Sequence, residues 1–531
     1  MIVCPLMIFL QFSARAQSLP VGTAAIEDYY RRAQLSGKTD TNVSFTIRPL
    51  FPGRVDNMPP GFKTLWQSSD QKFAISLLPF TVQTQFSSHH PYGWNDGAII
   101  PAKGLQALVS GGIFARYGPL TIQLKPELVT AQNSGFVTFN KNSSSTAFIR
   151  YYAIYNFVDL PARFGTGTYT KAYWGQSSVR LNYKAVSFGL STENLWWGPG
   201  IQNALLMSNT APGFPHLTLN TLRPLQTPIG SFEAQAIAGN LTGTGYPPLQ
   251  PDYMYRGADL YLRKPGAWKY INGIIATWQP KWIPGLFLGA DHSSVYYVKD
   301  LDRISDYIPL LPSDVSDSRS IRLTSLFMRW LWTQEQAEIY FEWGKYDDTE
   351  GVLQESLATN NQRAYTFGIR KLLPFGSSTN ENILLGIEAT QLQTNSLTDI
   401  ITGDEWYTNH YIRQGYTNQG QELGAGIGPG GNIQTVDISW VKGIKKLGLQ
   451  LERYAHNNDL YYLTYISTRD FSRHWVDLSL AAIGEWDYKN LIFNAKVQAI
   501  KSFNYQWYRP VAGGQSDAFN LQVQAGVNYL F

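Results

Sequence analysis

The residues with the clearest chemical potential lie in one stretch, Glu193–Pro224, where paired tryptophans stand among Gly, Pro and Asn. Its prolines rule out a long helix, and its glycines permit sharp turns. Aromatic rings offer flat apolar surfaces to sugar rings, while Asn, Asp, Glu and Arg side chains exchange hydrogen bonds with hydroxyls. Trp196 and Trp197 therefore predict either a sugar-binding site or an internal segment packed against a surrounding wall, and both interpretations stay open.

The long predicted loops contain the same residue types, and surface polarity does not account for their aromatic content. Eight residues are therefore candidate glycan-binding residues. They are Glu193, Asn194, Trp196, Trp197, Asn209, Trp406, Tyr407 and Trp507.

Patterns for catalysis and metal binding are weak. No Gly-x-Ser-x-Gly elbow occurs, and the seven histidines are scattered along the chain. His89 and His90 with Asp96 fit no His-x-x-x-His or cysteine-based metal pattern. Glu338 and Glu342 share one strand face and could form an acid/base pair, but a solvated wall is the favoured interpretation. We predict no enzyme, no catalytic residue, no metal and no cofactor.

Composition indicates a membrane barrel rather than a soluble multidomain protein. Charged residues make up 15% of the 531 residues and aromatic residues 14%, and no run of about 18 apolar residues occurs that could form a spanning helix. Few charges, many aromatics and no apolar run are typical of outer-membrane barrels with aromatic girdles. The net charge of +4 is small for this length and does not indicate a nucleic-acid partner.

Strand periodicity supports this class most clearly at the C-terminus. From Phe519 to Phe531, every odd position is apolar, and even positions are mostly Asn or Gln. Period two with one apolar face predicts a strand between lipid and a polar lumen. The chain ends on Phe531, as outer-membrane barrels do for recognition by the barrel assembly machinery, which we expect as a partner beside outer-membrane lipid.

Short and long connections alternate along the chain, as short periplasmic turns and long outer loops do in such barrels. Working back from Phe531, we count about 18 antiparallel strands, with 16 as the alternative. In this register the segment 193–215 starts at the extracellular end, and we expect it to cap the mouth or fold inward. The predicted fold is an all-β transmembrane outer-membrane barrel with an inward-folded segment capping its lumen.

Three regions are predicted. Residues 1–16 have a short apolar core and an Ala-x-Ala pattern, typical of a signal peptide. Cys4, the one cysteine, lies in this leader, so disulfides and thiol catalysis are excluded from the mature chain. Residues 17–70 are expected to hold a short periplasmic helix, near 23–34, and a linker, and residues 71–531 the barrel with its extracellular loops.

Several motifs resemble one known family. The most specific is Glu193–Gly200 (ENLWWGPG), continued by Ser208–His216, with weaker matches at Pro91–Ala98 and Gln279–Leu286. In these residues the chain resembles the capsule assembly protein Wzi family, in the longer form common in Bacteroidetes-type bacteria. The resemblance implies an eighteen-stranded outer-membrane barrel with a periplasmic plug and a lectin-like role.

The expected function is therefore non-enzymatic binding of capsular or another surface polysaccharide, helping to attach or assemble it at the cell surface. A diffusion porin or glycan-uptake channel is the first alternative, and an outer-membrane hydrolase is the second. We expect an integral outer-membrane monomer with a periplasmic N-terminus.

Overall fold

The alternating segments form one closed antiparallel barrel in the structure, a computed structural model. It describes residues 18–51, 63–139, 145–248, 250–309, 311, 313, 315–347, 362–376, 381–394, 405–465, 472–507 and 516–531. The predicted signal peptide, with Cys4, lies outside the described residues. The barrel closes where the last strand, Ala518–Tyr529, pairs with the first, Phe73–Ser87. The prediction of an all-β barrel of about 18 strands is confirmed.

The barrel strands follow one another in chain order. They are Phe73–Ser87, Gly104–Tyr117, Leu120–Leu124 continued by Glu127–Ala131, Tyr169–Tyr173 continued by Ser178–Tyr183, Val186–Ser191, His216–Thr221, Gly230–Leu241, Lys269–Pro280, Leu286–Tyr297, Ile321–Trp332, Ala337–Asp347, Arg363–Pro374, Glu381–Gln391, Asn432–Lys442, Lys445–Ala455, Val476–Tyr488, Leu491–Phe503 and Ala518–Tyr529.

Shorter elements complete the described chain. The α-helices are α1 (Ala24–Leu35), α2 (Ser145–Tyr155) and α3 (Asn458–Tyr465). The 3-10 turns are Val298–Asp300, Ile304–Tyr307, Asp317–Arg319 and Tyr505–Trp507. The short strands are Ile47–Arg48, Lys63–Gln67, Trp196–Trp197, Leu225–Thr227, Met254–Tyr255, Ala258–Asp259, Thr417–Asn418 and Gln421–Glu422.

Strand alternation has the predicted orientation. On Lys445–Ala455, Leu447, Leu449 and Leu451 are exposed on the outer surface, whereas Gln450 and Glu452 are buried on the lumen side. Apolar groups on the outside and polar groups inside are the arrangement of a barrel set in lipid. No helix in the described part of the chain combines the length and hydropathy needed to cross a membrane.

The two ends of the barrel differ. Connections at one end, called the turn end, are short, as at 118–119, 184–185 and 443–444. Connections at the other, called the loop end, are long and carry α2 and α3. Lys63–Gln67 already pairs with the first barrel strand, so the sheet begins before the predicted boundary at 71.

The N-terminal segment 18–51 lies inside the barrel and closes its turn end. Two arginines of helix α1 bind the barrel wall. Arg31 Nε donates to Glu338 Oε1 at 2.9 Å, and Arg32 donates to the Gly443 carbonyl at 2.8 Å. Asp28 of the same helix pairs with Arg370. Burying these charges is tolerable only because each has an opposite partner.

The lumen is therefore not the solvated space that the sequence predicted. Glu338 and Glu342 do face inward, but both are fully buried. The backbone N–H of Leu205 approaches Glu342 Oε1 at 3.3 Å, while arginines surround Glu338. That prediction was wrong because period two indicates which face a side chain lies on, but not what fills the space in front of it.

Candidate functional site

The first feature built from the predicted site residues is an inner segment, residues 192–215, which leaves the loop end and folds into the lumen. Trp196 and Trp197 form a two-residue strand that pairs with Ile47–Arg48 of the N-terminal segment. Trp197 is fully buried, and its indole N–H donates to Gln235 Oε1 of the wall at 2.9 Å. A Cβ at Gly273 would lie 3.0 Å from the Trp197 ring, so glycine is what lets the indole approach the wall.

Glu193 anchors the start of the inner segment by charge. Its carboxylate pairs with Arg180 Nη2 at 2.6 Å and accepts a hydrogen bond from Ser191 at 2.9 Å. Burial acts to raise the pKa of Glu193, but the positive charge of Arg180 and these hydrogen bonds outweigh it, and the net pKa is lowered. Glu193 is therefore an ionised structural group with its acceptor positions in use.

Asn194 and Asn209 join the segment to itself and to a neighbouring loop. Asn194 Nδ2 donates to Asn209 Oδ1 and to the Ala211 carbonyl, both at 2.8 Å. Asn209 Nδ2 in turn donates to the carbonyl of Asn95, also at 2.8 Å. Both amides are buried and are used for folding the chain.

A wall carboxylate holds the middle of the inner segment. The backbone N–H groups of Ile201, Gln202 and Asn203 all point at Glu388, at 2.8, 3.0 and 2.8 Å. A turn without a strand partner must satisfy its donors in some other way, and one carboxylate here serves three of them.

Trp406 and Tyr407 belong to a second inward-folded segment, residues 405–431, called here the inner loop. Both side chains are fully buried in the main core cluster, which also includes Trp197. The Tyr407 hydroxyl donates to the Leu205 carbonyl at 2.6 Å and accepts from the Ala425 N–H at 2.7 Å. The inner loop thus packs on the inner segment, and the two together fill the upper lumen.

Above this packed interior, at the loop end, lies an aromatic cleft of about 280 Å³. Its rings form a continuous series. Trp94 and Tyr454 have ring centroids 5.6 Å apart, Tyr454 and His456 3.8 Å, and His456 stacks on Trp475 at 3.6 Å. Trp475 then meets Trp507 edge-on at 5.2 Å. Four loops or strand ends supply these rings, since Tyr454 and His456 come from the same strand end.

Polar groups are interleaved with the rings of the aromatic cleft. Asp477 holds two of the rings in place, accepting from His456 Nε2 at 2.7 Å and from the Trp475 indole N–H at 2.9 Å. Glu422 also lines the cleft, and burial raises the pKa of its carboxyl to about 7. The indole N–H of Trp507 is buried and has no partner among the described residues. The cleft therefore combines ring faces with an unused donor and a carboxyl group.

A second, more polar cleft of about 440 Å³ lies beside the aromatic one. Its lining includes Thr166, Thr168, Lys171, Thr244 and Gln419. Residues 160–162 and 420–422 line the aromatic cleft, while Phe164 and Gln419 line the second. The two clefts are therefore the two sides of one ridge.

The ridge between the clefts is fixed from below by Asn133. Its Nδ2 approaches the carbonyls of Phe164, Gly165 and Gly167 at 2.7, 3.2 and 3.0 Å. Since this amide is buried, it braces the backbone that separates the two clefts.

Of the eight candidate glycan-binding residues, the structure brings only Trp507 to the lining of the aromatic cleft, and this side chain is itself only 4% exposed. The other seven are buried within or against the packed lumen, and direct glycan contact by them stays a prediction that their burial does not favour. Sequence reasoning did not select Trp94, Tyr454, His456 or Trp475 as site residues. The sequence feature that could have identified Tyr454, His456 and Trp475 was their position at strand ends that border a long loop.

The carboxylates and histidines of the described residues do not form a metal site. Among them, no group of three or more His, Cys, Asp or Glu side chains is arranged to hold a metal ion. His89 and His90 instead face each other, with their Nδ1 atoms 2.9 Å apart.

Comparison with known proteins agrees with this architecture. Residues 95–260 match the sequence model of the family "Capsule assembly protein Wzi", which confirms the resemblance seen in the motifs. No curated protein matches the sequence.

Among solved structures, Wzi of Escherichia coli has a TM-score of 0.62 at 13% identity, over 97% of this chain and 100% of that one. That structure is described as an outer membrane protein involved in group 1 capsule assembly and a carbohydrate-binding β-barrel. OccAB2 of Acinetobacter baumannii has a TM-score of 0.40 at 10% identity, over 85% of this chain and 97% of that one.

Neither the family description nor that of the Escherichia coli protein names an enzyme. Residues 95–260 thus match the capsule assembly protein Wzi family in sequence, and the chain has the fold of the Wzi barrel.

Proposed function

We propose that this protein is an outer-membrane barrel that binds a capsular or other surface polysaccharide at its loop end and helps attach or assemble it at the cell surface. In this proposal the loop end is extracellular and the end closed by α1 is periplasmic. The barrel assembly machinery is a further proposed partner, which would recognise the last strand, Ala518–Tyr529, together with Phe531. The role ascribed to the Escherichia coli Wzi barrel and the family match support this assignment.

The observation that carries the proposal is the aromatic cleft. A row of rings gives apolar faces of the size that sugar rings cover, and amphipathic rings are favoured where one side is wet. Glu422, Gln421 and Gln506 add hydrogen-bonding groups to the lining. Trp507 is the predicted residue that we retain as part of the site, because its ring lines the cleft.

The second cleft extends the site for a polymer. One sugar unit in each cleft would bind weakly, but two subsites joined by the same chain raise the overall affinity without new contacts. The braced ridge around Phe164 and Gly165 keeps the spacing between subsites fixed, so a polymer would not have to order the protein when it binds.

The filled lumen argues against the porin alternative. Helix α1 closes the turn end, while the inner segment and the inner loop occupy the upper lumen with fully buried Trp197 and Trp406. A diffusion channel needs a continuous wet path, and steady open steps in a planar bilayer would contradict the lectin proposal.

Deletion in the native host tests the proposed function directly. We expect surface polysaccharide to move from the cells into the medium when the protein is absent, and to return when the wild-type chain is supplied. Polysaccharide that stays fully cell-attached in the deletion strain would overturn the proposal.

A binding assay tests the site. Purified protein is titrated with the host's own polysaccharide, and the double variant Trp94→Ala with Trp507→Ala is expected to lose most of the affinity. Trp282→Ala, which removes an exposed tryptophan near the turn end, is the matched control and should bind normally. Equal binding by the wild type, the double variant and the Trp282→Ala control would show that the site lies outside the aromatic cleft.

A further inference from the structure

One sector of the barrel breaks the alternation of buried and exposed residues. At the loop end of two paired strands, Lys269–Gly273 and Ser293–Tyr297 are each five consecutive buried residues. In a single wall between lipid and lumen, every second residue should be exposed. Something therefore covers the outer surface of this sector.

The covered outer surface is polar. Ile271 belongs to the lumen core with Trp197, so its neighbours Tyr270 and Asn272 face outward. Asn272 pairs across the sheet with Ser294, which pairs in turn with Arg322. The pair His292 and Thr324 lies one step further along the same strands, with His292 Nδ1 2.9 Å from the Thr324 hydroxyl. If nothing covered this patch, its polar groups would lie against lipid.

The cover is the segment 298–309, called here the outer strap, which leaves the loop end and folds back over the outside of the wall. The Tyr270 hydroxyl donates to the Tyr307 carbonyl at 2.6 Å, and Asn272 Nδ2 donates to the Asp306 carbonyl at 3.2 Å. Beyond the strap, Arg322 donates to the Val315 carbonyl at 3.0 Å. The polar patch is thus the docking surface for this loop.

The depth of the patch follows from two tryptophans on the same outer surface. Trp268 is 66% exposed at the loop end, and Trp278 packs on Trp282 near the turn end, with ring centroids 5.8 Å apart. Ten residues at about 3.3 Å each, tilted by roughly 40°, span about 25 Å. That is the height of the apolar band between aromatic girdles, so Tyr270 and Asn272 lie within the band.

Large apolar side chains point away from the wall on the strap and just beyond it. Ile304 and Ile308 of the strap are 82% and 43% exposed, and Leu311, just beyond the strap, is 48% exposed. Asp302 and Arg303 are exposed next to Ile304, which fits a level where acyl chains meet headgroups. The strap replaces a polar stretch of wall with an apolar one and continues the lipid-facing belt around the barrel.

We propose that the outer strap is a membrane-embedded element, with its Ile304 and Ile308, and Leu311 just beyond it, in contact with the lipid acyl chains of the leaflet at the loop end. Continuity with the outer belt and the bounding Trp268 carry this assignment. A protein partner on the same surface is the competing occupant, and the experiment below distinguishes the two.

Spin labels test the proposal on the full-length protein in lipid vesicles. Cys4 is the one cysteine, so a Cys4→Ser background accepts single cysteines at Ile304 and Ile308. Both positions are exposed, so the label does not enter a packed core. We expect relaxation by oxygen to exceed relaxation by a water-soluble nickel chelate at both sites. Leu449 on the outer wall is the lipid-facing control, and Met254, 58% exposed in a loop hairpin, is the water-facing control.

Two results would overturn the proposal. One is a nickel-dominated signal at Ile304 and Ile308 that matches Met254 rather than Leu449. The other is a photo-crosslinker at Ile304 that, in host membranes, yields mainly adducts with a second protein rather than with lipid. Neither result bears on polysaccharide binding at the aromatic cleft, so this inference and the proposed function fail separately.

Discussion

The packed lumen and the aromatic cleft are built from the same residue types, yet they do different things. Trp197, Trp406 and Tyr407 in the lumen are fully buried, and the Trp197 N–H and the Tyr407 hydroxyl have hydrogen-bond partners. In the cleft, Trp94 and His456 are half-buried, and the Trp507 N–H has no partner among the described residues. The indole N–H of the fully buried Trp406 also lacks a partner among the described residues, so neither aromatic content nor an unpaired donor separates the two regions. What separates them is the partial exposure of the Trp94 and His456 rings in the cleft.

The largest predicted effect is a loss of stability when a packing residue of the lumen is removed. Trp197→Ala removes a fully buried indole together with its hydrogen bond to Gln235, and such truncations destabilise by about 4 kcal/mol. Chemical unfolding in detergent measures the change, with Trp282→Ala as the nearly neutral control. If Trp197→Ala instead unfolded like the wild type but no longer bound polysaccharide, the lumen would be the site.

The ion pair that anchors the inner segment should give the next largest effect. Arg180→Met leaves the Glu193 carboxylate buried without its cation, a change that destabilises by about 3 kcal/mol or more. Adding Glu193→Gln to the same protein should restore much of that loss, because the uncompensated charge is gone. Additive losses in the double variant would show that the two side chains act independently.

In the cleft the effect on binding should be larger relative to the effect on folding. Trp507→Ala is expected to weaken polysaccharide binding about tenfold, or roughly 1.4 kcal/mol, and, because the ring is only 4% exposed, to lower the unfolding midpoint as well, but less than Trp197→Ala does. Isothermal titration and unfolding on one preparation separate the two quantities. A folding defect as large as that of Trp197→Ala would place Trp507 with the packing residues.

The smallest predicted effect is the pH dependence of stability that comes from the Glu422 carboxyl in the cleft. Burial raises the pKa of Glu422 to about 7 in the folded chain, well above the ordinary value for a glutamate, so the folded state binds a proton that the unfolded state has released. Stability from this group is therefore highest at low pH and falls as pH rises through 7. Between pH 6 and 8 the loss is roughly 1 kcal/mol.

Unfolding curves of wild type and Glu422→Gln at both pH values isolate this contribution, since other buried carboxyls remain in both proteins. The difference between the two proteins should grow as pH rises. Parallel pH dependence in both would mean that Glu422 has no raised pKa in the fold.

The fold was largely accessible from the sequence because its signal is local. Leu447, Leu449 and Leu451 alternate with polar neighbours, and each side chain's face follows from its own position. The alternation of short turns and long loops then predicted that the segment from Glu193 starts at the loop end and caps the mouth or folds into the lumen. In the structure it starts at the loop end and folds into the lumen. The site was less accessible, since of eight candidates only Trp507 lines the cleft.

The sequence by itself determined the strands, their faces, the antiparallel order of successive strands and the family-like Trp196–Trp197 motif, all of which depend on neighbours along the chain. Only the tertiary structure decided that Glu338 is buried in an ion cluster, that Trp406 packs in the lumen, and that Ile304 faces outward from the strap. The physical reason is that burial in a barrel depends on segments hundreds of residues apart. Arg31 and Glu338, for example, meet across a separation of 307 residues.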